Sequence, residues 1–315
     1  MIYRLKIKPH SPWTTPWEAD TLSGLLCATM AREIGADALR DEIIAPALAG
    51  KPPFVLSDAL PGDLLPVPIA LRLLPCDAAM RKRMKRARYI TPETWANLQT
   101  SGTDTAPTLL PEGAIGRTTR QRNTVARDTD TTRENGLFDT DTFHLAPHTE
   151  YLSVYFWSEP AFLPRFMELF ARLTWRGYGG DTSVGSGQFA IAHNPEPNPF
   201  VGVAGANAVV SLSTFQPAPC DPTDGYWETL TKRGRIGPDF GLPNDQTAKN
   251  PLLLLRPGAC FFTDVAVPWG GRAIPMRELL CPAAYDHLHA QGVEIIQYAF
   301  GLFLPCALPK QTKES

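Results

Sequence analysis

The chain has 315 residues, with 43% hydrophobic and 20% charged residues. That composition describes a globular protein with room for two modest domains, and it excludes low-complexity and collagen-like classes. The net charge of −2 hides an asymmetry: Arg81 to Arg127 carries ten basic and three acidic residues, a surplus of +7 that leaves −9 for the remainder.

Met1 to Lys8 alternates apolar and charged residues, so Tyr3 to Lys8 reads as a strand. It lacks the apolar core of a signal peptide, and a cytoplasmic protein is expected. After prolines 9, 12 and 16, a helix is predicted from Glu18 to Ile34, with Leu22, Leu25, Leu26, Thr29 and Met30 on one face. Asp20 lies in its first turn, where a carboxylate suits the helix dipole. Pro53 to Leu60 reads as a second strand. Residues 75–147 lack apolar periodicity and read as an insertion projecting from the core. Within it, Arg81 to Arg88 packs six cations into eight residues with few carboxylates nearby, the footprint of polyanion binding.

Tyr151 to Trp157 is predicted as a third strand, Phe162 to Leu173 as a second helix, and Phe189 to Ala192 as a fourth strand. Between that helix and strand lies Trp175 to Phe189, with glycines at 177, 179, 180, 185 and 187. Such a loop can point peptide N–H groups at phosphates; a ligand-free turn is the plain alternative. Gly185 to Ala190 spells G-x-G-x-x-A, but prolines 195, 197 and 199 follow where a dinucleotide fold needs a helix, and no G-K-[ST] is present. The resulting βαββαβ order is that of a ferredoxin-like, RNA-recognition-like domain.

Residues 193–207 read as a linker. The second half shows a strand at Ala208 to Phe215, a short helix at Asp224 to Lys232, and apolar runs at 252–255, 259–263 and 293–304, suggesting a degenerate second copy of the same fold. The expected domains are 1–195 and 205–315. Six cysteines without a C-x-x-C pair read as reduced thiols, and His287 and His289 as exposed helix residues; no metal site is expected.

Four segments carry a resemblance: Ser11 to Cys27, Pro52 to Pro66, Arg122-Asn-Thr-Val-Ala-Arg127 with Glu134 to Phe138, and the glycine loop. With them the chain resembles the RAMP proteins of type III CRISPR effector complexes, and within these the family of subunit four of the type III-A Csm complex. The family's acidic residue before Arg127 is Ala126 here. The resemblance implies an α+β protein of two ferredoxin-like RAMP domains, the first with a projecting thumb. It implies a non-catalytic subunit that holds the repeat-derived 5′ handle of the guide RNA, lies near the target RNA, and contacts a large Palm-domain subunit and a backbone RAMP subunit. It needs no cofactor and no membrane. The RNA-binding residues it nominates are Ser11, Trp13 and Asp20; Arg117, Arg120, Arg122, Asn123 and Arg127; and Arg176, Gly177, Tyr178, Gly179, Gly180, Ser183, Gly185, Ser186 and Gly187. Trp17 joins Trp13 and Tyr178 as an aromatic that could stack on bases. The rival reading is a metal-independent endoribonuclease that processes repeat RNA, for which His10 is the nominated acid or base.

Overall fold

The computed structural model describes residues 1–74, 76–100, 113–200, 205–237, 240–265 and 267–308. Strand β1 (Ile2–Pro9) is the spine of the first sheet. Its inward residues Leu5 and Ile7 are fully buried opposite Val154 and Leu152, as period-2 alternation requires. Helix α1 (Ala19–Glu33) follows, burying Leu22, Leu26, Thr29 and Met30. Short helices α2 (Ala36–Leu39) and α3 (Ala45–Leu48) run on through a π-helical turn at Arg40–Ile44. The predicted second strand divides into β2 (Phe54–Leu56) and β3 (Leu60–Pro61). Both pair antiparallel with strand β8 (Leu152–Ser158).

Helix α6 (Leu163–Arg176) lays Phe166 against Phe156 (ring centroids 4.4 Å apart) and Phe170 against Phe189 (6.3 Å). The chain returns along β1 as β9 (Phe189–Ile191) and β10 (Glu196–Pro197). The sheet order is thus β9/β10, β1, β8, β2, with every pair antiparallel. The expected linker is therefore partly sheet: Pro197 pairs with Tyr3, and the Asn198 amide donates to the Ile2 carbonyl. Prolines fit there because an edge strand can spare a ladder donor. Phe200 continues into the core beside Trp95 and Tyr155.

The second sheet has the order β12 (Gly225–Tyr226), β15 (Cys260–Phe262), β11 (Ala208–Ser211), β17 (Ile296–Cys306), β16 (Trp269–Pro275). The short helix expected over 224–232 is not there: β12 is followed by β13 (Thr229–Lys232), which pairs with β14 (Leu252–Leu255). Thr229 and Thr231, disfavoured in helices, fit a half-exposed pleat, and pairing with β14 decides between the two conformations. Helices α7 (Met276–Leu279) and α8 (Pro282–Ala290) connect β16 to β17, with His287 and His289 exposed on α8. One large core joins both halves: Tyr298 of β17 donates to the Phe54 carbonyl (2.5 Å), and the Ser213 hydroxyl to the Leu56 carbonyl (2.6 Å). All six cysteines are free thiols, with Cys260 and Cys306 buried and Cys220 exposed.

The segment 75–147 is not a single projection. Strand β4 (Leu65–Pro66) pairs with β5 (Tyr89–Ile90), which lies between α4 (Ala78–Arg86) and α5 (Pro92–Thr100). Met84, Ile90, Trp95 and Leu98 are buried in the main core. The projecting part is the hairpin of β6 (Ile115–Val125) and β7 (Thr132–Leu145), in register from Ile115 opposite Leu145 to Asn123 opposite Leu137 and then shifted, so that Val125 faces Thr132. Most of its residues outside the base are exposed, so neither face needs the apolar alternation that marks a half-buried strand.

Candidate nucleic-acid interface

The glycine loop is built against the chain's own Ser11–Pro16 segment. Helix α6 ends at Gly177, whose positive φ reverses the chain. The Tyr178 amide donates to the Gly187 carbonyl (2.8 Å), and the Gly187 amide to the Pro12 carbonyl (2.8 Å). The Gln188 amide donates to Ser11 Oγ (2.9 Å), the Gly180 amide to Thr15 Oγ1 (3.1 Å), and the Ser186 hydroxyl to the Pro12 carbonyl (3.0 Å). A Cβ at Gly187, where φ is +68°, would overlap the Tyr178 carbonyl oxygen; one at Gly179 would lie 2.7 Å from Thr15 Cβ. At these two positions the protein's own close approach already requires glycine. Gly185, by contrast, faces open space.

What the loop leaves free is its tip. The amides of Asp181, Thr182 and Ser183 have no hydrogen-bond partner among the described residues, while the next three turn back onto Asp181 and Thr182. Ser183, Val184 and Gly185 are exposed. Consecutive N–H groups of this kind can hold an anion.

The hairpin is seated on this loop. Trp13 and Phe143 exchange backbone hydrogen bonds at 3.0 and 2.7 Å, and Arg122 Nη1 reaches Asp181 Oδ2 at 2.6 Å. Arg117 pairs with Asp141 (2.5 Å), and its guanidinium, with the Thr119 hydroxyl, holds the Asp141 carboxyl below its usual range. Asn123 donates to Thr132 Oγ1 (2.9 Å). Arg120 and Arg127 are exposed, without an acidic partner among the described residues. From Ile115 to Leu145 five arginines meet five carboxylates, so the hairpin is neutral. Of the ten cations between Arg81 and Arg127, the six of α4 and Arg88 are therefore the ones left unbalanced, because the hairpin's turn and second strand supply carboxylates that the 81–127 segment did not contain.

Three nominated residues are internal. Tyr178 is fully buried, stacked on Trp17 at 3.8 Å, with its hydroxyl donating to the Pro16 carbonyl (2.5 Å) and accepting from the Glu18 amide (3.1 Å). Trp13 is buried edge-on to Trp17. Neither ring, nor Trp17, is available to a base. Asp20 is buried as well: it accepts from Lys232 Nζ (2.6 Å) and Gln297 Nε2 (2.6 Å). It is a tie between the two halves and not an RNA contact. Arg176 sits at the end of α6 beside Glu33 (3.5 Å), away from the loop's tip in partnership if not in sequence. His10 is exposed, its amide spent on the Gln188 carbonyl (2.7 Å).

Sequence reasoning missed the buried polar tie itself. Asp58 accepts from the Ala19 amide (2.8 Å), the Thr214 amide (3.0 Å) and the Thr214 hydroxyl (2.8 Å). Burial, helped by the charge of Glu18, nevertheless pushes its carboxyl up to about 7. Lys232 also reaches Glu18 (2.5 Å); burial alone would lower its ammonium, but the Asp20 and Glu18 carboxylates outweigh that and raise it. Apart from Ala19 and Asp58, which are 39 positions apart, the partners lie 156 to 277 residues apart, so no local pattern announces them. No group of metal ligands occurs, and no helix is long and apolar enough to cross a membrane, among the described residues.

No protein-family model matches the chain, and no curated protein matches it. Solved structures do. A crystal structure of a Csm1–Csm4 cassette in complex with cA4 matches at TM-score 0.63 and 18% identity, over 99% of this chain and 100% of that one. The same cassette with pppApA matches at 0.60 and 17%, with the same coverage. A Csm3–Csm4 subcomplex of the type III-A CRISPR-Cas interference complex matches at 0.62 and 15%, over 96% and 99%. The subunit common to these assemblies is Csm4. The chain has the Csm4 fold. At this identity the shared property is the fold over its whole length, both halves included; the side chains of the loop and hairpin are this chain's own.

Proposed function

We propose that the chain is the Csm4-type, non-catalytic RNA-binding subunit of a type III-A CRISPR-Cas interference complex in the cytoplasm. In this reading it holds the 5′ handle of the guide RNA, near the target RNA, and docks the large Palm-domain subunit and the backbone RAMP subunit. The observation that carries it is the end-to-end Csm4 fold. Csm4 occurs there with two different subunits, Csm1 and Csm3, and both kinds of contact are carried over here.

We read the first sheet and its two helices as a ferredoxin-like domain, the second half as its degenerate copy, and the β6–β7 hairpin as the thumb. The free amides at 181–183 would take a phosphate, with Arg120 and Arg127 on the adjoining hairpin. Exposed Leu137 and Phe138 would supply the apolar surface that enters between nucleotides.

The test is to co-express the chain with its complex, purify through another subunit and sequence the bound RNA. Guides with an intact repeat-derived 5′ end are expected only when the chain is present; equal recovery without it would sink the proposal. Labelled repeat RNA incubated with the purified protein, with and without divalent metal, is expected to stay intact. Cleavage that disappears in His10→Ala would establish the endoribonuclease instead.

A further inference from the structure

The largest concentration of unmatched positive charge lies away from the glycine loop. Helix α4 carries Arg81, Lys82, Arg83, Lys85 and Arg86, with Arg88 just beyond, and all six are exposed. Its only acidic neighbour in sequence, Asp77, is engaged as the helix N-cap, accepting from the Met80 amide (2.7 Å). None of the six has an acidic partner among the described residues.

Beside this helix is a cleft of about 480 Å³, lined by Ile69, Arg72, Leu73, Lys85 and the segment Gly225–Glu228. None of these residues belongs to the glycine loop, the 11–16 segment or the hairpin. The volume falls within the ~300–1,000 Å³ typical of small-ligand sites.

Its walls are fixed by long-range contacts. The Ile69 amide donates to the Gly258 carbonyl (2.8 Å), and Gly225 lies so close to β15 that a Cβ there would overlap the Cys260 carbonyl oxygen. Arg72 is pinned by Glu228 and by the Ala87 carbonyl (3.0 Å), so the one carboxylate in the cleft is already neutralised. The Arg72 Nε is buried with no partner among the described residues. Trp227 remains 43% exposed although Phe261 stacks on its ring (5.7 Å, 21°). The cleft thus offers a held indole and the ammonium of Lys85, on a helix that carries four further exposed cations.

We propose that this cleft is a second RNA site, in which a single-stranded nucleotide stacks its base on Trp227 and sets its phosphate against Lys85, with the flanking strand following α4. An acidic peptide would use the cations, but its carboxylates gain nothing from the electron-rich face of an indole. A base has a flat π-face for it whatever its identity. The proposal rests on the RNA-binding reading above and adds a separate surface to it.

The test uses the full chain and a short single-stranded oligouridylate carrying 4-thiouridine and a fluorescent label. After irradiation and digestion, cross-linked peptides containing Trp227 are expected. By anisotropy, Trp227→Ala is expected to weaken binding about tenfold, the loss of one base–aromatic stack, and Trp227→Phe to restore most of it. Because Trp227→Ala also removes a contact to Phe261, Lys85→Glu, on the exposed face of α4, is the second arm; it should weaken binding and reduce its salt dependence. Cross-links confined to the loop and hairpin, with unchanged affinity in Trp227→Ala and Lys85→Glu, would overturn the second site and leave the proposed function standing. No binding of the oligonucleotide to any surface would overturn both.

Discussion

Gly187→Ala would place a methyl carbon against the carbonyl oxygen of Tyr178, in a backbone conformation of φ +68°. The left-handed conformation costs an L-residue roughly 1–2 kcal/mol. The clash is with backbone, so no rotamer relieves it; Tyr178 must move. Moving it strains the Tyr178-to-Gly187 hydrogen bond (2.8 Å), worth about 1 kcal/mol. It also disturbs the Tyr178–Trp17 stack (3.8 Å), worth about 0.5–1.5 kcal/mol. The sum is about 3–4 kcal/mol. Gly185→Ala has the same conformational cost at φ +88° but meets nothing, so about 1–2 kcal/mol is expected. At roughly 2 °C per kcal/mol for a chain of this size, scanning fluorimetry should show a drop of about 6–8 °C for Gly187→Ala and about 2–4 °C for Gly185→Ala. Equal, small shifts in both variants, accompanied by equal losses of guide RNA, would refute the reasoning. The glycines would then serve the ligand's approach and not the loop's packing.

Four further outcomes follow from the same geometry. Asp58 holds its proton in the folded state up to about pH 7, against 3.8 as its reference. Its contribution is therefore fully present below about pH 4 and is lost as pH rises toward 7. Urea melts between pH 5 and 8 should show that decline, and Asp58→Asn should flatten it; an unchanged slope would show that Asp58 is not the group responsible. Neutralising Arg120 and Arg127 should reduce the slope of log affinity against log salt by about 1.4, at ~0.7 per phosphate on single strands. Arg117 and Arg122, already paired with Asp141 and Asp181, should change it less, and equal effects of the two pairs would contradict these pairings. Replacing residues 117–143 with a short turn should leave a cooperatively folded protein. Trp95→Ala, by contrast, should cost about 3–5 kcal/mol for a fully buried indole, and a mild effect in thermal melts would remove α5 from the core.

The sequence by itself determined the elements of the first half. Strand alternation at 2–9, the apolar stripe of α1 and the aromatic face of α6 are local patterns, and local patterns are what a linear reading can see. It located the loop by its glycines but not their purpose, since Gly187 and Gly179 are required by contacts with Tyr178 and Thr15 that only folding creates. It marked 75–147 as polar, yet could not separate the buried Met84, Ile90, Trp95 and Leu98 from the exposed hairpin. A few apolar residues on short elements give no measurable period. It read Asp224 to Lys232 as helix because the pairing with β14, some twenty residues later, is a contact that no local pattern contains.

The candidate site was legible in residue types and not in exposure. Trp13, Tyr178 and Asp20 have the chemistry of RNA contacts, but the fold turns all three inward. The same fold brings Asp141 and Asp181 to arginines of β6 and leaves α4 with the unmatched charge. Only the tertiary structure could decide these points: burial and charge pairing depend on which distant segments meet, and residues such as Asp58 and Thr214, 156 positions apart, become neighbours only when the two sheets close on one core.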